Sequence, residues 1–197
     1  PRQKGRPRRG EVRPPKPETR LQRQLRQSAA EALAELPAHC DRGTKKNSQG
    51  YRETWTGYQL HVDVNDCCLP LSVALNAASL YDSQVAIPLL KLSSERVDYL
   101  YDLMDAAYDA KPVYEVSRSR GRVPIIDKNG RGREVIPLAP HEAARYRERT
   151  VAERFYSRLK EEFGGDTVLV RGAQKVGLHL MLGVIALFAD QLLKLIS

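Results

Sequence analysis

The 197-residue chain is long enough for one domain with a sizeable core, and its 42% hydrophobic and 28% charged residues are typical of a globular protein. A net charge of +8 and a pI near 9.5 favour a polyanionic partner, because neutralising phosphates releases counterions. The three cysteines, Cys40, Cys67 and Cys68, have no metal-ligand spacing, which argues against a disulfide scaffold and a structural zinc site.

The first 50 residues are predicted to form a basic, Pro/Arg-rich arm with a short helix. Residues 1–20 contain almost no large apolar side chain, so they cannot bury enough surface to fold alone. Two interpretations remain open for them, a solvated linker and an arm that lies along nucleic-acid phosphates. Residues 21–36 place leucine and alanine at helical spacing and predict a helix that ends at Pro37. The polar residues 41–50 predict a loop.

The next segment predicts an antiparallel hairpin. In residues 51–64, the side chains of Tyr58, Leu60 and Val62 alternate with polar ones, which predicts a strand with one exposed polar face. A turn at residues 65–66 and a second strand over residues 69–77 complete the hairpin.

The second half predicts a helix over residues 83–92 and strands over 99–104 and 123–127. A long helix over 141–162, a small strand over 168–170 and an apolar closing helix follow. Strands and helices in this order predict a mixed α/β domain. The uninterrupted apolar run near the end is too short to span a membrane, so we expect a buried core helix there.

One face of the helix over residues 141–162 carries four chemically distinctive side chains. At about 100° per residue, Tyr146, Arg149, Glu153 and Lys160 fall within an arc of about 60°. An acid flanked by phosphate-binding cations suits a metal-assisted site that acts on a phosphodiester. On periodicity alone, a solvated amphipathic face remains the alternative.

Six segments in a fixed order now resemble one family, the DDE transposases of bacterial insertion sequences, in the group named for insertion sequences four and five. They are Gly57-Tyr-Gln-Leu-His-Val, Pro70-Leu-Ser, Ala78-Ser-Leu-Tyr-Asp-Ser, Asp105-Ala-Ala-Tyr-Asp, Pro124-Ile-Ile-Asp and the row from Tyr146 to Lys160. The resemblance implies that residues 51–197 form a ribonuclease-H-like α/β domain, a mixed sheet flanked by helices. It also implies DNA transposition by metal-dependent strand cleavage and strand transfer.

The resemblance assigns catalytic and metal-binding roles to Asp105 and Glu153, the family's second and third acids. A complete site would hold two Mg²⁺ or Mn²⁺ ions, and Tyr146, Arg149 and Lys160 would contact DNA. The family's first Asp lies on a strand before the hairpin, and nothing in residues 1–50 matches it. We therefore expect the fold to be incomplete at its first strand. Asp63, on the polar face of the hairpin, is the alternative acid within this chain.

The implied partners are double-stranded DNA, at transposon ends and target, and a second copy in a homodimer, with no membrane. The implied location is the bacterial cytoplasm, in association with the nucleoid. The alternative function is a catalytically defective, truncated remnant that only binds DNA. The first acid distinguishes the two readings, because a chain without it cannot complete the family's metal site.

Overall fold

The computed structural model describes residues 17–46, 49–130 and 134–197. In these ranges the chain forms seven α-helices, five β-strands and two 3-10 turns, Ala106–Tyr108 and Arg147–Arg149. The mixed α/β class is therefore confirmed. The helices are α1 (Arg20–Arg26), α2 (Ala29–Ala34), α3 (Ser83–Ser94), α4 (Lys111–Ser119), α5 (Pro140–Tyr146), α6 (Thr150–Glu161) and α7 (Ala173–Ile196); the strands are β1 (Asp41–Lys46), β2 (Arg52–Val64), β3 (Pro70–Ala77), β4 (Tyr101–Met104) and β5 (Val123–Ile126).

The strands form two separate sheets. Strands β1, β2 and β3 make an antiparallel sheet in that order, and β4 pairs with β5 in parallel. The long strand β2 uses residues 52–57 to pair with β1 and residues 58–64 to pair with β3. The predicted hairpin of β2 and β3 is confirmed. Gly57 lies where the partner changes, with a φ of 153° that favours glycine.

Helices cover both faces of the β2–β3 hairpin. On one face, Phe155 and Leu159 of α6 pack with Val184 and Leu187 of α7 in a buried cluster that Leu60 of β2 also contacts. On the other face lies α3, which packs partly against β3 and partly against α4 and β5. The domain is thus layered as helices, sheet and helices, and α3 joins the two sheets.

The helix predicted over residues 21–36 is two helices. Ser28 caps α2. Its side chain accepts a hydrogen bond from the Glu31 N–H, and the Glu31 side chain accepts one from the Ser28 N–H. This reciprocal capping box starts a new helix. Lys91 of α3 donates to the Gln24 and Gln27 carbonyls at the end of α1. Residues 1–16, where the basic arm was predicted, lie outside the described residues, and a domain boundary near residue 50 remains a prediction.

The loop predicted over residues 41–50 is wrong for residues 41–46, which form β1. This segment has no apolar alternation, so its strand character comes from pairing with β2 and not from its own sequence. A glycine allows close approach here: a Cβ on Gly43 would lie 2.5 Å from the Trp55 ring.

The polar face of β2 is not exposed as predicted. His61 is only 3% exposed, and the neighbouring Asp63 bonds to Ser93 of α3. Gln59 donates a 2.7 Å bond to Asp82, and the Asp82 side chain makes no cap on α3. The reason is tertiary, since α3 covers this face and supplies partners for each polar group.

The second half contains three further differences from prediction. Helix α4 was not predicted, although Val113 and Val116 are spaced for one buried face behind a Pro at the helix start. The helix expected over residues 141–162 divides into α5, a 3-10 turn and α6. No strand forms at residues 168–170, where Leu169 is 91% exposed.

Helix α7 is confirmed as a long apolar helix, but it is not a fully buried one. Val176, Leu180, Val184 and Leu187 face the domain, while much of the remaining apolar surface is exposed. In the described residues α7 alone is long and apolar enough to cross a membrane, with a mean hydropathy of 1.8 in its most apolar window, of which 22% is buried.

Candidate functional site

The carboxyl end of β4 places Asp105 at the start of a 3-10 turn. Its Oδ1 accepts a 2.9 Å hydrogen bond from the Ala107 N–H, which fixes the orientation of the carboxylate. Burial raises the pKa of Asp105, and the negative charges of Asp82 and Asp127 raise it further. The positive charge of Arg149 acts in the opposite direction.

The first turn of α6 carries Glu153. Its Oε1 accepts a 2.8 Å bond from Arg149 Nη2, and 61% of the glutamate side chain is exposed. The Arg149 guanidinium also lies 5.5 Å from the centre of the Tyr146 ring, in a cation–π contact. Arg149 therefore bonds to Glu153, contacts the Tyr146 ring and acts electrostatically on Asp105.

Asp105, Arg149 and Glu153 line one cleft. The cavity has a volume of 770 Å³ and runs between the end of β2, strand β4, helix α3 and the start of α6. Its walls are apolar where α3 supplies Leu89 and Leu90. The cleft thus combines charged and apolar walls, an arrangement typical of ligand and substrate sites.

The four predicted residues of the helix face are only partly assembled. Arg149 and Glu153 line the cleft, and Tyr146 contacts Arg149 without being part of the cleft wall. Lys160 lies seven residues beyond Glu153, about 10 Å further along the helix axis, and is outside the cleft wall. Arg145 was not predicted; it lines the cleft with its guanidinium 4.9 Å from the Tyr101 ring centre.

The cleft separates two open sheet edges that run in opposite directions. His61 of β2 interacts with Asp105 and Tyr108 beyond the end of β4, whereas Asp63, two residues later, interacts with Asp102 within β4. Strands β2 and β4 are therefore antiparallel across the cleft. Among the described strands, none pairs with the edge of β2 opposite β3 over residues 58–64, or with the edge of β4 opposite β5.

A tyrosine side chain occupies part of the open β2 edge. The Tyr156 hydroxyl accepts a 2.9 Å bond from the Val62 N–H and donates a 3.2 Å bond to the Leu60 carbonyl. One hydroxyl thus satisfies two backbone groups that a neighbouring strand would otherwise bind. Burial raises the pKa of Tyr156 to about 12, so the hydroxyl keeps its proton at neutral pH.

Two further acids lie deep in the cleft. Asp63 accepts from Ser93 Oγ, and Asp102 accepts a 2.5 Å bond from Ser117 Oγ. Burial raises the pKa of Asp63 to about 6 and raises that of Asp102. The buried Arg122 lies near both carboxyls. Asp102 is 4% exposed, with its carboxylate against Ser117 of α4.

His61 is a buried histidine with one partner. Its Nδ1 lies 3.4 Å from the Tyr108 hydroxyl, and its Nε2 has no hydrogen-bond partner among the described residues. Burial lowers its pKa to about 4, so the ring is neutral at neutral pH. His179 bonds to the Gly164 carbonyl at 2.8 Å, as a structural histidine would.

The acids of the cleft are the available ligands for a divalent cation. Carboxylate oxygens are the donors that Mg²⁺ prefers, but the ranges that the structure describes contain no group of three or more His, Cys, Asp or Glu side chains that could hold a metal ion. Glu153 is moreover already paired with Arg149. The side chains described do not by themselves fit a complete two-metal site.

Comparison with known proteins gives one match. A family model described as "Transposase DDE domain" matches residues 21–189. The match covers most of the chain, including the two sheets and the first two thirds of α7. Comparison with the curated proteins and with the solved structures found no significant match.

Proposed function

The chain belongs to the transposase DDE-domain family, and we propose from this premise that it forms the carboxy-terminal part of a ribonuclease-H-like transposase catalytic domain. The group of insertion sequences four and five is the origin we favour, on the ordered motifs. The reaction is strand cleavage at transposon ends followed by strand transfer into target DNA. The observation that carries the proposal is that Asp105 and Glu153, the two acids expected from the sequence, line one cleft with Arg149.

We assign the acids to divalent-cation binding and the cations to DNA. Asp105 and Glu153 would be two of three carboxylates around Mg²⁺ or Mn²⁺, ions that DDE transposases use to activate the attacking oxygen and stabilise the leaving one. Arg149 can bind a phosphate with two N–H groups, and Lys160 can attract the DNA backbone as a point charge. Tyr146, which stacks on Arg149, would orient it or donate to a phosphate oxygen.

The third carboxylate would come from a strand between β2 and β4. Because these strands are antiparallel across the cleft, one added strand can pair antiparallel with β2 and parallel with β4. It would join the two sheets into one and carry its side chains towards Asp105. We therefore infer that a complete site requires such a strand, with the first Asp on it. Asp63 is a poorer candidate. It bonds to Ser93 of α3 and interacts with Asp102 near the start of β4, whereas Asp105 follows the end of β4.

We propose as the alternative a DNA-binding remnant that binds DNA through its basic surface without cleaving it. In either case we place the protein in the bacterial cytoplasm, on double-stranded DNA, and as a homodimer that holds two ends.

The deciding experiment uses the polypeptide encoded by the complete reading frame and a supercoiled plasmid that carries the terminal repeats of its own element. We expect Mg²⁺-dependent nicking that Asp105→Asn and Glu153→Gln each abolish, with DNA affinity retained. Glu161→Gln is the matched control, since Glu161 is an exposed acid on the same helix that bonds to Ser157.

Three outcomes are informative. Unchanged nicking by Glu153→Gln would contradict the assignment of the acids. Binding of the repeats without any nicking by the unmodified polypeptide would favour the remnant. Absence of both binding and nicking would contradict the transposase proposal as a whole.

A further inference from the structure

Helix α7 carries an exposed apolar stripe that no other part of the described chain covers. The stripe consists of Leu178, Met181, Leu182, Ile185, Phe188, Ala189 and Leu192. Each of its large side chains is at least 38% exposed. At about 100° per residue they fall within about 60° on either side of Ile185, opposite the face that packs on the domain. A contiguous apolar patch of this kind marks an interaction surface in soluble proteins.

The stripe is symmetric about Ile185. Its other members lie at offsets of three, four and seven residues on both sides of this centre. If two copies of α7 pair antiparallel about a two-fold axis through Ile185, Leu178 faces Leu192 of the second copy and Leu182 faces Phe188. The longer Met181 then faces the small Ala189. This is the self-complementarity that an isologous dimer requires, with each contact made twice.

Charge does not oppose the pairing. From residue 178 to residue 189, α7 has no Asp, Glu, Lys or Arg. The ion pairs of α7 lie near its end, where Asp190 bonds to Arg158 and Lys194. The two-fold arrangement therefore brings no like charges together along the stripe.

The area suits a dimer. The exposed fractions of these side chains correspond to roughly 700 Å² in each copy, so pairing can bury at most about 1,400 Å², which reaches the range of about 1,200–2,000 Å² for stable, specific interfaces. A lipid bilayer is a less suitable occupant because α7 is fixed along its other face. Gln191 Nε2 donates to the Cys67 carbonyl at 3.0 Å, and Arg158 Nη1 donates to Gln191 Oε1 at 2.9 Å.

We propose that the exposed stripe of α7 is a homodimer interface, formed by antiparallel pairing of α7 with α7 of a second copy about Ile185. This deepens the homodimer included in the proposed function by naming its surface, but it does not depend on DNA cleavage.

The first test is the molar mass in solution, by light scattering and sedimentation over a wide concentration range. With the polypeptide encoded by the complete reading frame, we expect twice its monomer mass, and the monomer mass for Ile185→Glu, which places two carboxylates against each other at the axis. Leu169→Glu is the matched control, because Leu169 is 91% exposed and lies outside α7; it should remain dimeric. Circular dichroism and the unfolding midpoint report whether each variant is folded.

The second test fixes the pairing direction by disulfide cross-linking. Cys40 and Cys67 are exposed and are replaced by Ser first, whereas Cys68 is buried. Ile185→Cys should cross-link to itself under mild oxidation. Leu178→Cys should not, because antiparallel pairing separates its two copies by about 21 Å, far beyond the 7 Å that a disulfide allows between Cα atoms. A mixture of Leu178→Cys and Leu192→Cys chains should cross-link.

Several results would overturn the inference. They are a monomer at every concentration, a dimer that persists in folded Ile185→Glu, and self-linking of Leu178→Cys. Flotation with phosphatidylcholine vesicles that Ile185→Glu abolishes, without dimer formation, would assign the stripe to lipid instead. A monomer that still nicks transposon ends would remove this interface and leave the proposed function intact. A dimer that neither binds nor nicks DNA would support this interface and contradict the proposed function.

Discussion

The Tyr156 hydroxyl and the Val62 N–H, 94 residues apart in the sequence, form a 2.9 Å hydrogen bond across the open edge of β2. The same hydroxyl donates to the Leu60 carbonyl. A side chain from α6 thus takes over hydrogen bonds that a neighbouring strand would make. Any strand that enters the cleft along this edge must displace Tyr156, so the tyrosine is the group that changes partners when the two sheets join.

Tyr156→Phe should destabilise the domain and expose this edge. The substitution leaves a backbone donor and a backbone acceptor without their partner, a loss of about 1–3 kcal/mol in the free energy of unfolding. Hydrogen exchange of the Val62 amide should become faster. Tyr81→Phe is the control, because Tyr81 is 75% exposed. Unchanged exchange at Val62 would show that the bond does not protect this edge.

Two glycines of α7 should respond oppositely to alanine. A Cβ on Gly183 would lie 2.5 Å from the Phe163 carbonyl oxygen, so Gly183→Ala must push α7 away from α6, at a cost of about 1–3 kcal/mol. On Gly177 the nearest atom would be Leu75 Cδ2 at 3.5 Å, an ordinary contact. Gly177→Ala should therefore stabilise the helix by up to about 1 kcal/mol. Urea unfolding measures both, and equal effects would contradict the packing of α7 on α6.

Asp63 should make stability depend on pH between about 4 and 6. Its pKa is raised from 3.8 to about 6, chiefly by burial, while Ser93 and Arg122 oppose the rise and Asp102 adds to it. Below the ordinary pKa both states hold the proton; as the pH rises, the unfolded state releases it first. The free energy of unfolding therefore falls through this window, by up to about 3 kcal/mol.

Asp63→Asn should remove most of this fall and be more stable than the unmodified chain above pH 6. The measurement is urea unfolding at a series of pH values. Asp66→Asn is the control, since Asp66 is an exposed acid of the β2–β3 turn. An Asp63→Asn variant with the same pH dependence as the unmodified chain would show that Asp63 is not the titrating group.

The predicted DNA contacts can be separated from the general effect of net charge. Duplex affinity should fall steeply with salt, and Arg149→Ala and Lys160→Ala should each reduce the slope of log affinity against log salt by about one. Lys111→Ala removes the same charge from a side chain that is 88% exposed and outside the helix row, and its slope should stay the same. Equal changes for all three would indicate only a net-charge effect.

Regular local patterns in the sequence predicted much of the fold. Alternation through Leu60 and Val62 predicted β2, and helical spacing of Val151, Phe155 and Leu159 predicted α6. Strand β1 could not be predicted in this way, because its polar residues are extended only through pairing with β2. The burial of His61 and Asp63 also depends on α3, and no local pattern shows which helix will cover a polar face. Helix α4 could have been predicted from Pro112, Val113 and Val116.

The sequence predicted some features of the site and not others. The sequence placed Asp105 at a strand end and Glu153 on a helix, and both line the cleft. It did not indicate that the helix row would break at Arg149 or that Arg149 would pair with Glu153. Nor did it indicate the role of Tyr156, because a hydroxyl that bonds to another strand's backbone has no signal in its own segment.

The packing of α7 sets an order of events during synthesis. The cluster around Phe155 is completed by Val184 and Leu187, which are translated about thirty residues later. Until they leave the ribosome, α6 and the β2–β3 hairpin have an uncovered apolar face that chaperones and proteases recognise. A product of premature termination before Val184 would therefore be removed by quality control, even though it retains Asp105, Glu153 and every other residue of the cleft.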